Sequence, residues 1–159
     1  NGSGKTTLIK IILGDLERSA NHVYRAISNA VYIDQEYSLI ENNLSVYDQA
    51  QHYNNHALQE HDVKVRLNRF LFGKEDWAKY CGNLSGGERM RLMLCCLTIG
   101  SIAPDLIVLD EPTNNLDIQN IEILIAAINE YKGTLLVVSH DEYFLKQINM
   151  EREITLIRM

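Results

Sequence analysis

Two adjacent carboxylates, Asp110 and Glu111, directly follow the apolar stretch at residues 106–109 and precede Pro112. Four aliphatic residues in a row are typical of a strand that is buried on both faces of a parallel sheet, and a proline ends such a strand. Open α/β sheets bind ligands at the carboxyl ends of their strands. Because two carboxylates in one crevice are costly to bury without a cation, the pair indicates a cation-dependent site. Two ordinary surface acids would be the interpretation if this motif stood alone.

The first seven residues, N-G-S-G-K-T-T, form part of a motif that holds phosphate. They match the end of G-x-x-x-x-G-K-[ST], in which backbone N–H groups and a helix N-terminus cradle the phosphates. In this motif Lys5 reaches the β- and γ-phosphates, and the Thr6 hydroxyl holds Mg²⁺. The first glycine of the motif would fall two residues before Asn1. We therefore expect the chain to be a piece of a longer protein and to be inactive as an isolated fragment.

A second site for an anion is indicated at Leu84-Ser85-Gly86-Gly87-Glu88, which precedes an apolar helical pattern at residues 89–99. A serine and two glycines make a helix N-terminus that is ready to bind an anion. One domain has little use for two phosphate sites. We expect the second site to serve the nucleotide of a neighbouring domain.

Composition narrows the class of protein. A length of 159 residues fits one domain, and the net charge of −6 argues against a nucleic-acid-binding face as the main feature. The apolar runs are far shorter than a membrane span and no signal-peptide pattern begins the chain, so we expect a cytoplasmic protein without direct membrane insertion. Cys81, Cys95 and Cys96 lack C-x-x-C spacing and are expected to be reduced thiols in or near helices.

Alternating strands and helices must position these groups. The pattern predicts strands at 30–33, 106–109 and 134–139, with helices at 5–13, 118–131 and 142–148, which is typical of an α/β domain with a parallel sheet. Gln35 and His140 then follow the first and third of these strands, on the same edge as the carboxylates. A hairpin or connection is predicted at 15–29, and a last strand at 154–157.

The segment at 45–72 differs, because it is polar and helical. Ser45 and Asp62 are predicted to cap two helices in it, and residues 74–77 to form a further short helix whose Trp77 packs in the interior. His52 and His56 lie four residues apart, but without cysteine or carboxylate at ligand spacing a solvated helix face is favoured over a metal site. Asp117 and Asp141 are predicted to cap two later helices.

Taken together, the motifs resemble those of an ABC-type ATPase domain and occur in the family's order. They are the Walker A end at residues 1–7, the Q-loop Gln35, the signature at 84–88, the Walker B strand at 106–111, the D-loop at 115–117 and the switch histidine His140. The resemblance implies an α/β, P-loop NTPase-like fold: a mostly parallel sheet flanked by helices, with a small helical subdomain. It implies one ABC-type domain over residues 1–159, shortened at its N-terminus, with the helical subdomain inserted at about 39–99.

The closer resemblance is to the ABC-F class. Residues 111–117 read E-P-T-N-N-L-D, where transporters usually carry S-A-L-D after the glutamate, and Ser139-His140-Asp141 is similar to the same class. Members are soluble, hold two such domains in one chain and act on ribosomes, as translation factors or in antibiotic resistance. Which of the two domains this chain represents stays open. So do two other interpretations: the ATPase subunit of a membrane ABC transporter, and a folding or dimerisation module.

The resemblance also implies cofactors, partners and residue roles. The cofactors are ATP and Mg²⁺, and the partners are a second ABC domain, in the same chain or as a homodimer, and the ribosome. Glu111 is the expected general base and His140 the residue that contacts the γ-phosphate. Mg²⁺ would be held by Thr6, Gln35 and Asp110. The residues expected to bind nucleotide are Asn1, Gly2, Ser3, Gly4, Lys5, Thr6, Thr7, Gln35, Ser85, Gly86, Gly87 and Glu88.

Overall fold

Within the described part of the chain, three parallel strands form one sheet. The structure, a computed structural model, describes residues 4–14, 29–100, 103–114 and 116–155. The strands are β1 (Ala30–Ile33), β2 (Leu106–Asp110) and β3 (Thr134–Val138), in the order β1-β2-β3. All three predicted strands are confirmed, although β3 ends one residue earlier than predicted. Because the strands are parallel, their carboxyl ends meet at one edge of the sheet.

The central strand β2 is buried on both faces, as its unbroken apolar sequence predicts. Side chains alternate between faces along a strand. Leu106 and Val108 pack with Ile9 of the first helix on one face, whereas Ile107 and Leu109 join the larger hydrophobic core on the other. Apolar side chains therefore cover both sides of β2, and this holds its polar carboxyl end in a fixed place.

Three helices connect or follow the strands: α1 (Lys5–Leu13), α5 (Ile118–Glu130) and α6 (Glu142–Gln147). Helix α1 ends at Gly14, whose φ of 98° is the left-handed conformation that glycine adopts without strain. Helices α5 and α6 begin as predicted. The carboxylates of Asp117 and Asp141 accept hydrogen bonds from the backbone N–H groups of Asn120 and Phe144.

The intervening segment is helical. It contains α2 (Val46–His52), α3 (Glu60–Arg69), a 3₁₀ turn (Cys81–Asn83) and the long α4 (Gly86–Ile99). Helices α2, α3 and α4 pack against one another, with Val46, Val63, Leu67 and Met90 fully buried. Ser45 caps α2 as predicted. The three cysteines are free thiols buried in α4 or the 3₁₀ turn, also as predicted.

Three predictions of local structure are wrong. Asp62 does not cap α3, because the helix starts two residues earlier, at Glu60; Asp62 lies in its first turn, where a negative charge is favourable. Residues 74–77 form successive turns instead of a helix, although Trp77 does pack against the core. Residues 154 and 155 have no strand structure. The predicted hairpin lies almost entirely outside the described residues, as do residues 156 and 157.

Within the described ranges, no helix is both long and apolar enough to cross a membrane.

Candidate active site

Lys5, Glu111 and His140 meet at the carboxyl edge of the sheet. The Lys5 Nζ lies 3.4 Å from Glu111 Oε1 and 2.6 Å from His140 Nε2. His140 Nε2 lies 3.2 Å from Glu111 Oε1, and the His140 backbone N–H donates to Glu111 Oε2 at 3.3 Å. The Glu111 side chain is only 12% exposed, whereas that of His140 is 78% exposed. A cation, a mostly buried carboxylate and an exposed imidazole therefore lie within contact distance of one another.

The backbone explains how these three side chains are aimed. Gly4, in the left-handed conformation with φ of 79°, turns the chain into α1 and places Lys5 in its first turn. Glu111 extends the ladder by donating from its N–H to Val138 O, and then turns with φ of 51°. That conformation is uncommon for a residue other than glycine and costs of the order of 1–2 kcal/mol. Strain of this kind is concentrated at functional sites.

Asp110, the other carboxylate, contacts a different residue. Its Oδ2 accepts a hydrogen bond of 3.1 Å from the hydroxyl of Tyr32 on β1. Burial, then the hydrogen bond and the negative charge of Asp110, raise the pKa of the Tyr32 hydroxyl to about 12. The hydroxyl therefore stays protonated and donates to Asp110 at neutral pH.

The loop after β1 is organised by Asp34. Its Oδ1 accepts from the backbone N–H groups of Glu36 and Ser38, and its Oδ2 accepts from the Ser38 hydroxyl. The side chain of Tyr37, whose φ is 52°, is buried. The side chain of Gln35 is exposed. The aspartate thus fixes the backbone on either side of the glutamine and leaves the glutamine side chain accessible.

The predicted second anion site is the start of α4, and its capping hydrogen bonds are satisfied within the chain. The Ser85 hydroxyl accepts from the Glu88 backbone N–H, and the Glu88 carboxylate accepts from the Ser85 N–H, a complete capping box. Glu88 also accepts from Lys79 Nζ at 2.7 Å. Burial opposes ionisation of Glu88, but the hydrogen bonds from Lys79 and Ser85 outweigh it and lower the pKa of this carboxyl to about 2. The Glu88 carboxylate therefore binds the start of its own helix and the Lys79 side chain.

Gln35 and Gly86 share a cleft of about 570 Å³ whose wall also includes Arg89 and Asn114. None of Lys5, Glu111 and His140 lines it. The candidate residues therefore form two groups: the sheet-edge cluster of Lys5, Glu111 and His140, and the residues that line a polar cleft beside the start of α4.

Some predicted site residues lie outside the described part of the chain. Asn1, Gly2 and Ser3 lie outside the described residues, and of Thr6 the backbone alone is described. Thr7 lies in the first turn of α1. Asn115 of the D-loop is also outside the described ranges.

Sequence reasoning missed three residues that support the site: Tyr32, Asp34 and Lys79. The sequence contains a signal for Tyr32, which lies in an apolar strand three residues before Gln35. The hydroxyl of a half-buried tyrosine usually has a hydrogen-bond partner. For Lys79 the sequence contains no such signal, since its contact with Glu88 depends on how the preceding turns pack.

The residues present fit a Mg²⁺ ion that is bound together with a nucleotide. In the described parts of the chain, no group of three or more His, Cys, Asp or Glu side chains could hold a metal by itself. Mg²⁺ usually keeps several waters and is bound by one or two carboxylates together with substrate phosphates. Asp110, at the sheet edge beside Lys5 and Glu111, offers such a carboxylate. Its Oδ1 accepts no hydrogen bond from the described residues.

Comparison with known proteins identifies the family. A family model described as "ABC transporter" matches residues 1–114. The chain is similar to "Probable ATP-binding protein YbiT" of Escherichia coli O157:H7, with 36% identity over 151 residues, covering 93% of this chain and 28% of that protein. It is 37% identical over 158 residues to "ABC transporter F family member 5" of Arabidopsis thaliana, covering 93% of this chain and 21% of that protein.

A solved structure has the same fold. The complex of archaeal ribosomal stalk protein aP1 with archaeal ribosome recycling factor aABCE1 contains a chain that matches with a TM-score of 0.71 and 26% identity. The match covers 93% of this chain and 29% of that one. The chain thus spans less than a third of each of these three proteins.

Proposed function

Because the chain belongs to the ABC transporter family, as an ATP-binding domain similar to ABC-F members, we propose that it hydrolyses ATP within a larger ABC-F-type protein. The observation that supports this best is the convergence of Lys5, Glu111 and His140 at the carboxyl edge of the sheet. These groups supply a charge for the phosphates, a base for water and a polar contact beside that base.

In the proposed reaction, Lys5 neutralises γ-phosphate charge and Glu111 accepts a proton from the attacking water. His140 holds Glu111 through its backbone N–H and contacts the γ-phosphate through its exposed ring. When bound, Mg²⁺ supplies charge stabilisation at the phosphates, and Thr6, Gln35 and Asp110 are the residues that would hold it. The contribution of the protein is mainly positioning and electrostatic stabilisation.

A second ABC domain completes the proposed site. Two domains face each other head to tail, and Ser85, Gly86 and Gly87 of each contact the nucleotide held by the other. The two glycine-containing helix starts, at α1 and α4, support this arrangement, because one domain has little use for two phosphate sites. In this proposal residues 1–159 form one ABC-type domain, with the helices at about 39–99 as its helical subdomain.

The proposed place of action is the ribosome, in translation or in resistance to antibiotics. Two findings support it: the identity to an F family member, and the match to a chain in the complex of a ribosomal stalk protein with a ribosome recycling factor. The E-P-T-N sequence at residues 111–114 agrees with the same class.

The test uses the full-length protein that contains this chain. Its ATP hydrolysis is measured with and without ribosomes, and Glu111→Gln is tested for ATP-dependent co-sedimentation with ribosomes. We expect ribosomes to stimulate hydrolysis and the variant to remain bound to them in ATP. A hydrolysis rate that ribosomes do not change, together with no retention of the variant, would contradict the ribosomal role.

The second candidate is the ATPase subunit of a membrane transporter. The polar cleft beside Gln35, Asn42 and Arg89 favours it, since a helix of a membrane-embedded partner could dock there. Recovery of the full-length protein in a stable complex with a membrane protein, without ribosomes, would support this candidate over the first.

A further inference from the structure

The hydrogen bond between Tyr32 and Asp110 connects β1 to the proposed metal ligand. Tyr32 pairs with Val108 in the sheet, so Asp110 lies two residues further along β2 and on the same face. A tyrosine side chain is long enough to cross this diagonal, and its hydroxyl reaches Asp110 Oδ2 at 3.1 Å. The ring is half-buried beside Ile9, Leu106 and Val108, which restricts its motion.

We propose that Tyr32 is a positioning residue for the metal site, and that it orients Asp110 so that Oδ1 faces the Mg²⁺-nucleotide. This inference rests on the proposed function, because it requires Asp110 to hold Mg²⁺ directly or through water. Partners that hydrogen-bond to a ligating carboxylate fix its orientation, and their loss usually costs 10–100-fold in metal affinity or activity.

The contacts of Asp110 favour this role over a purely structural one. Oδ2 accepts from Tyr32, whereas Oδ1 accepts from none of the described residues, so the hydroxyl occupies one side of the carboxylate and leaves the other available. The hydrogen bond also lies at the edge of the sheet where Lys5 and Glu111 meet. A hydroxyl that merely joined β1 to β2 could be placed anywhere along the strands.

The experiment uses Tyr32→Phe in the full-length protein, because phenylalanine keeps the ring and removes the hydroxyl alone. Hydrolysis is measured against free Mg²⁺ at one fixed nucleotide concentration, and binding of Mn²⁺ to the ADP complex is measured by electron paramagnetic resonance. We expect the half-saturating concentrations of both metals to rise by roughly tenfold or more. The melting temperature is recorded to show that the variant is folded.

Tyr131→Phe is the matched control. The Tyr131 hydroxyl donates to the Pro104 carbonyl, before the start of β2 and therefore at the opposite end of that strand from Asp110. Its loss removes a hydrogen bond but should leave both metal titrations unchanged. If Tyr32→Phe lowers the melting temperature as Tyr131→Phe does and leaves the metal titrations unchanged, the hydroxyl has a structural role only and the inference is overturned.

A double-mutant cycle separates failure of this inference from failure of the proposed function. Asp110→Asn should weaken metal binding, and adding Tyr32→Phe to it should have no further effect, because the tyrosine acts through the aspartate. An Asp110→Asn variant with normal metal binding would contradict the assignment of Asp110 itself. Additive effects of the two substitutions would show that Tyr32 does not act through Asp110.

Discussion

The sheet-edge cluster and the start of α4 are assembled in opposite ways. Lys5, Glu111 and His140 are separated by up to 135 positions in the sequence. They meet because α1 begins, and β2 and β3 end, at one edge of the sheet. Ser85 and Glu88 are three positions apart and hydrogen-bond to each other. The first arrangement depends on the whole fold, whereas the second forms within a single helical turn.

The two regions also differ in what they contribute. The capping box and the Lys79 contact satisfy polar groups that would otherwise destabilise α4. At the cluster, Glu111 has a strained backbone and a mostly buried carboxylate, and His140 is largely exposed. Because of these differences, substitutions at the cluster should change the hydrolysis rate more than stability, and substitutions at the start of α4 should change stability more than the rate.

Replacement of His140 by alanine should greatly lower the rate of ATP hydrolysis and barely change the free energy of unfolding. Loss of the ring removes contacts to Lys5 and Glu111, and misplacement of catalytic groups costs roughly 100-fold in rate. Since the ring is 78% exposed, the free energy of unfolding should change by no more than about 0.5 kcal/mol. Hydrolysis by the full-length protein and urea denaturation measure the two quantities.

His52→Ala is the control for that substitution. His52 is also exposed and pairs with a carboxylate, that of Glu41, but it lies at the end of α2. His52→Ala should change neither the hydrolysis rate nor the free energy of unfolding. A loss of stability in His140→Ala, without loss of rate, would reverse the assignment of roles.

Gly87→Ala should be less stable than Gly86→Ala by about 1–2 kcal/mol. A Cβ on Gly87 would lie 2.6 Å from Asn120 Cγ on α5, whereas a Cβ on Gly86 has open space around it. Both substitutions raise helix propensity by a similar amount, so the difference isolates the clash. Chemical denaturation without nucleotide measures it. Equal stabilities would show that Asn120 moves aside at no cost, and the packing argument would then fail.

The smallest expected effect is the pH dependence that Glu88 contributes. Its pKa is lowered from 4.5 to about 2 in the folded state, so its stabilisation is complete above about pH 4.5 and is lost as the pH falls toward 2. The stability difference between the native chain and Glu88→Gln should therefore shrink across that range, by no more than about 1 kcal/mol. Glu142→Gln, which affects an exposed pair with Lys146, is the control. A difference that stays constant with pH would contradict the low pKa.

Much of the fold is predictable because it depends on local patterns. The apolar run of β2, the glycine after α1 and the caps at Ser45, Asp117 and Asp141 each determine structure within a few residues. The prediction fails where contacts outside the local pattern determine the structure. Residues 74–77 have a helical composition, but contacts made elsewhere hold them as turns, including a hydrogen bond from Trp77 Nε1 to Phe72 O.

The site is predictable in its residue types and not in its contacts. The motifs indicate Lys5, Glu111 and His140, and the parallel pairing of β2 with β3 explains why Glu111 and His140 share one edge. The Tyr32–Asp110 bond depends on the register between β1 and β2, and the left-handed conformation of Glu111 belongs to the turn after β2. Sequence periodicity determines neither of them. The pattern S-x-x-E at residues 85–88 is typical of a capping box, in which Glu88 caps the helix. The same residues match a nucleotide-binding motif, so the sequence alone indicates nucleotide binding for Glu88.

Single-turnover hydrolysis of ATP by the full-length protein and its Glu111→Gln variant tests directly whether the cluster at the sheet edge performs the chemistry. Glu130→Gln, an exposed carboxylate at the end of α5, is the control. We expect Glu111→Gln to bind ATP normally and to hydrolyse it about 10²–10⁴-fold more slowly, since a general base contributes a factor of that size. A variant that binds ATP and hydrolyses it at the native rate would contradict the assignment of Glu111 and, with it, this account of the site.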